Sequence, residues 1–144
     1  MRVYRSDLRE QLVKERRTKR ASRAEANLFK AKAHDFFQMM ERAIEEERWD
    51  VAVSNGIHAL MLMANAITIF KVGEYSVDKD HAAASDYLGE TVGQESRNAV
   101  SQMKQVMSKK TAAEYDSHRC TERDALDVKK RVERFFDLSN SLIP

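Results

Sequence analysis

Lys109, Lys110, Tyr115, His118 and Arg119 fall within one short stretch of the chain, and they are the residues best equipped to do chemistry. Three of them are cationic at any physiological pH. His118 changes charge near neutrality, and Tyr115 offers a flat ring. A cationic group with an aromatic face beside it can hold a phosphate and stack a base, as RNA-binding and nucleotide-binding surfaces do. The plainer alternative for the same residues is a solvated loop with a structural tyrosine.

A second basic stretch precedes them. Residues 1–32 carry 11 Lys and Arg against 4 Asp and Glu, a local balance of +7 in a chain whose net charge is +2. The remainder is therefore −5, with 14 basic residues facing 19 acidic ones. The run ERRTKRASR, with Arg16, Arg17, Lys19 and Arg20, is where a polyanion would be felt first. A charge-laced solvated face is the alternative.

Other chemistries find no pattern. The four histidines, His34, His58, His81 and His118, show neither HxxxH nor HExxH spacing, and Cys120 has no second cysteine to join it as a metal ligand. The chain has no GxxxxGK[ST], GxGxxG or GxSxG, so no metal and no cofactor is expected. His58, inside an apolar stretch, reads as a hydrogen-bonded core histidine, and His81 as a helix-entry residue.

The elements that must position these groups are helices. One proline, at the last residue, and four glycines leave few breaks. Ser22-Arg23-Ala24-Glu25 reads as a capping box opening a helix to about Glu47, with Phe29, Ala33, Phe36, Phe37, Met40 and Ile44 on one face. Trp49 to Phe70 is apolar on nearly every side and must be wrapped by other helices. Asp50 suits its N-terminus, and Gly73 suits its stop. A brief helix over Asp80 to Leu88 and a longer one over Glu95 to Lys110 are predicted next. Thr121 to Asp124 then caps a last helix carrying Ala125, Val128, Val132, Phe135 and Phe136. No segment alternates like a strand over a useful length. The lone cysteine fits a reducing compartment. The apolar run Ile57–Phe70 contains Asn65 and is shorter than the ~20 residues that cross a bilayer. No membrane is expected, and the chain reads as cytoplasmic.

The order of these features resembles the HEPN superfamily of small helical-bundle proteins. EEERWDVAV leads into HALMLMANAITIF, similar to that family's central helix. Gly73 and a short helix opening at His81 follow, then KKTAAEYD and TERDALDVKKRVERFF. The likeness covers about Asn27 to Leu142. It implies an all-α fold, an up-and-down four-helix bundle with an additional short helix. Residues 21–144 would form the bundle, and residues 1–20 a basic N-terminal helical extension. It also implies a homodimer, paired near the closing helices.

Ribonucleases of that family carry an arginine, four to six residues, then a histidine. Here the matching place reads Lys109-Lys110-Thr111-Ala112-Ala113-Glu114-Tyr115, with lysine for arginine and Glu114 or Tyr115 for histidine. The leading expectation is therefore a non-catalytic module that binds RNA or a nucleotide through Lys109, Lys110, Tyr115, His118 and Arg119, helped by the basic arm. A protein-interaction component, such as the helical partner of a small nucleotidyltransferase, is the alternative. A third reading is a metal-independent ribonuclease with His118 as acid–base group and Arg119 or Lys110 on the phosphate.

Overall fold

Ser22 opens the first helix by exchanging two hydrogen bonds with Glu25. Its Oγ accepts the Glu25 N–H at 3.3 Å, and the Glu25 carboxylate accepts the Ser22 N–H at 2.7 Å. The computed structural model describes residues 17–78 and 81–144; Arg16 and the chain before it lie outside the described residues, as does Asp80. Helix α1 (Arg23–Glu45) buries Ala26, Ala33, Met40 and Ala43 along one face. Glu47, in the left-handed region at φ 59°, turns the chain, and three residues separate the end of α1 from the start of α2 (Trp49–Val72). So short a connection makes the two helices antiparallel neighbours.

Helix α2 is the centre of the molecule. Ala52, Val53, Ile57, Leu60, Met63 and Ile67 are among its fully or nearly fully buried residues. By length and composition it could cross a membrane, but 61% of its most apolar window is buried by the helices around it. Gly56 marks the tightest approach: a Cβ there would come within 2.7 Å of both Met40 Sδ on α1 and Val128 Cγ1 on the last helix. Gly73, at φ 73°, ends α2 with its N–H on the Ile69 carbonyl at 2.7 Å.

Helix α3 (His81–Val92), a 3₁₀ turn (Gly93–Ser96) and α4 (Arg97–Met107) follow, then the short α5 (Lys110–Glu114) and the long α6 (Glu122–Leu142). Helices α1 and α6 pack on α2, and α4 packs on α6. Leu88, Met103, Val106, Val132 and Phe135 fill the space between them with no exposure. The fold is an all-α bundle.

Two expectations on local structure need correcting. Residues 18–20 are not helical: β1 (Thr18–Arg20) pairs antiparallel with β2 (Glu74–Ser76), with Lys19 opposite Tyr75. The pairing is prolonged by Ala21 N–H on Gly73 O at 3.0 Å and Val77 N–H on Arg17 O at 2.9 Å. Gly73 turns the chain off α2 and leaves an extended segment whose amides and carbonyls need partners, and residues 17–21 supply them. The helix expected over Glu95 to Lys110 is also divided. The Ser108 hydroxyl donates to the Gln105 carbonyl at 2.6 Å, and the Lys109 N–H reaches Val106 O, three residues back, at 3.1 Å. These tight bonds end α4 and let α5 start in a new direction.

Candidate functional site

The break after Met107 sets the site, because it places α5 and the loop to α6 across the N-terminal part of α2. Thr121 caps α6: its Oγ1 accepts the Asp124 N–H at 3.2 Å, and Asp124 Oδ2 accepts the Thr121 N–H at 2.9 Å. The other oxygen of Asp124 takes the Lys109 ammonium at 2.9 Å. The Thr121 backbone N–H first, and Lys109 after it, hold the Asp124 carboxyl down from its usual 3.8 to about 2.

Asp50, in the first turn of α2, fastens the loop. Its Oδ1 accepts the Cys120 backbone N–H at 2.7 Å, and its Oδ2 accepts Arg119 Nε at 3.0 Å. The Cys120 N–H is the largest cause of a lowered Asp50 carboxyl, opposed by partial burial and aided by Arg119. Burial, and then the neighbouring Asp50, push the Cys120 thiol up to about 11.

Glu114 is the third carboxylate. Its Oε1 accepts the Ser54 hydroxyl at 2.9 Å and lies 3.5 Å from His58 Nε2, while its Oε2 lies 3.5 Å from Lys110 Nζ. The Glu114 side chain is largely buried. His58 is not a core residue as its apolar surroundings in sequence suggest. Its side chain is 46% exposed, and the ring leans on Phe36 with centroids 5.3 Å apart. The core takes the other faces of α2; the edge carrying Ser54 and His58, one turn apart, meets Glu114 of α5 and, at His58, the ring of Phe36 on α1. Two polar residues at i and i+4 in an apolar helix were the available signal.

The residues singled out in the sequence are therefore placed as follows. Lys109, Lys110 and Arg119 each meet a carboxylate: Asp124, Glu114 and Asp50. Tyr115 is 76% exposed, and the Lys110 ammonium lies 5.9 Å from its ring centroid. His118 is exposed, and its backbone N–H donates to Asp116 Oδ1 at 3.2 Å. Arg119 keeps its side chain 82% exposed despite its ion pair.

Arg17, Lys19 and Arg20 are exposed but lie elsewhere. They adjoin Gly73 at the C-terminal end of α2, whereas Arg119 adjoins Asp50 at its N-terminal end. At ~1.5 Å per residue the two ends are about 33 Å apart, so the basic strand does not join the Lys109–Arg119 group. Arg20 is partnered by Glu74 at 3.7 Å. Arg16 lies outside the described residues. Among the described residues no three His, Cys, Asp or Glu gather as metal ligands.

A family model described as the HEPN domain matches residues 26–142, which takes in every helix among the described residues but the first turn of α1. No curated protein matches the chain.

Proposed function

The chain belongs to the HEPN family, and from that premise we propose that it is a binding module without catalysis that takes up RNA or a nucleotide on the face around Tyr115. One observation carries this reading. The Tyr115 ring stands 76% exposed, with the Lys110 ammonium 5.9 Å from its centroid, in the same loop as exposed His118 and Arg119. A bare ring in one loop with the exposed Arg119 side chain is a stacking platform for an unpaired base, with the guanidinium serving a phosphate. Catalysis fits less well. Lys109 and Arg119 are turned to Asp124 and Asp50, and the imidazole of His118 has no orienting partner among the described residues.

The test is fluorescence anisotropy with a short labelled RNA, in wild type and in Tyr115→Ala, over a salt series. The reading expects affinity to fall with salt and to weaken by roughly 5- to 150-fold in the variant, from the ~1–3 kcal/mol of one stacked base. Salt-independent binding, or an unchanged affinity in Tyr115→Ala, sinks it.

The ion pairs favour a second reading. With Lys109, Lys110 and Arg119 each facing a carboxylate, the surface is charge-mixed rather than basic, which suits a partner protein such as a small nucleotidyltransferase. Absence of RNA affinity together with a stable one-to-one complex with such an enzyme supports this reading over the first. Homodimerisation belongs to either. Val51 and Leu126, exposed at the same end of the bundle, support it, and sedimentation showing only monomer at high concentration would dismiss it.

A further inference from the structure

Of the three ion pairs that hold the cations of the site, two are built in and one is not. In Lys109 with Asp124, and in Lys110 with Glu114, both side chains are largely sheltered. Asp124 is fixed as well by the Thr121 N–H at 2.9 Å, and Glu114 by the Ser54 hydroxyl at 2.9 Å. Arg119 differs. It meets Asp50 through Nε alone, at 3.0 Å, and its side chain is largely exposed. Among the described residues no second carboxylate meets the guanidinium, so its Nη edge is open to solvent.

Asp50 does not depend on Arg119. Its Oδ1 keeps the Cys120 N–H at 2.7 Å, and its charge stands in the first turn of α2, where the helix favours it. The Cys120 N–H, ahead of Arg119, holds the Asp50 carboxyl below its usual range. The loop is also fixed on its far side by the reciprocal bonds of Thr121 and Asp124. The guanidinium can therefore leave Asp50 without releasing the loop, and an ion pair this exposed holds it only weakly.

We propose that Asp50 is an internal competitor for a phosphate group taken up by Arg119. The guanidinium exchanges the carboxylate for phosphate oxygens, while the Cys120 N–H keeps Asp50 and the loop together. Two anions on one guanidinium repel each other whichever edge the second one takes. The phosphate must either displace the carboxylate or bind against its field, so the Asp50 charge sets how tightly it is held. Lys109 and Lys110 take no part, because their carboxylates are held by the fold itself. The inference rests on the reading at Tyr115 for the source of the phosphate, a nucleotide or RNA, and on Arg119 and Asp50 alone for the exchange.

The experiment follows the Arg119 Nε–Hε signal in ¹H–¹⁵N spectra of the full chain, identified by its loss in Arg119→Lys. The probes are inorganic phosphate and a short single-stranded RNA, each titrated at constant ionic strength. The signal is expected to move with both; movement with RNA alone assigns a phosphate ester. Asp50→Asn, which keeps an acceptor for the Cys120 N–H, should bind the probes about two- to fivefold tighter, the change expected of one exposed ion pair. Glu74→Gln removes the same charge just past the other end of α2 and should leave the affinities as they are. Movement with phosphate but not with RNA keeps the exchange and sinks the RNA reading at Tyr115. RNA binding seen at the loop amides with the Arg119 signal unmoved, or no response to either probe, overturns the exchange. So does an affinity in Asp50→Asn no greater than in Glu74→Gln, or an equal shift of every arginine Nε signal.

Discussion

Asp50 accepts the backbone N–H of Cys120 at 2.7 Å across 70 positions of sequence, and with it the loop before α6 is tied to the start of α2. The same carboxylate sits in the first turn of α2, where negative charge is favoured. Removing it leaves the N–H of buried Cys120 without a partner. Asp50→Ala should destabilise the fold by about 1–3 kcal/mol, and Asp50→Asn, which keeps an acceptor but not the charge, by less. Urea midpoints of the two variants check this; equal losses would mean that the acceptor itself contributes nothing.

Acid should weaken the protein through Asp124 and Asp50. Both carboxyls are held below their usual range in the fold, so the unfolded chain takes up these protons first as pH falls. Their stabilisation is complete above about pH 4 and drains away as pH drops from the usual 3.8 towards about 2, the folded value for Asp124. Urea midpoints measured between pH 6 and pH 2 should fall in that window. Asp124→Asn should have a lower midpoint at pH 6 and a shallower acid limb. An unchanged acid limb would show that Asp124 is not titrating as described.

Gly56→Ala sets two effects against each other. Alanine inside a helix gains about 0.5–1 kcal/mol over glycine. The new Cβ would sit 2.7 Å from Met40 Sδ and from Val128 Cγ1. Met40 can swing its thioether aside, but Val128 has no exposed surface and nowhere to move. Overpacking costs about 1–3 kcal/mol, so net destabilisation is expected. A thermal melt at or above wild type would show that α6 shifts freely against α2.

Cys120 should resist alkylation. It is 6% exposed, and its thiol is pushed up to about 11, so little thiolate exists at pH 8. Labelling with iodoacetamide should be slow in buffer and rapid in urea. Fast labelling of the folded chain would contradict this environment.

The parts of this architecture readable from sequence are those written within a few residues. The two capping boxes, Ser22 with Glu25 and Thr121 with Asp124, fix the starts of α1 and α6. Gly73 marks the end of α2, and the apolar spacing marks which faces are buried. What escaped the sequence depends on residues far apart in it. Thr18–Arg20 becomes a strand only because Glu74–Ser76 lies beside it. Arg119 looks like a free cation until Asp50, 69 positions earlier, is folded against it. His58 looks buried because its neighbours in sequence are apolar, yet its ring lies half-exposed between Phe36 of α1 and Glu114 of α5. Tyr115 and His118 stay exposed with contacts only to near neighbours in sequence, so no distant residue changes how they read.

The three-residue connection between α1 and α2 also bears on how the chain acquires its structure. The most extensive helix pairing is α1 with α2, and it closes with almost no intervening chain. Helix α6 has to arrive from about 50 residues beyond α2, at a larger loop-closure entropy. The hairpin should then form early and α6 dock late. Ala43→Gly would slow refolding, while Val132→Ala would chiefly hasten unfolding. Stopped-flow chevrons with the opposite assignment would place the nucleus on α6 instead.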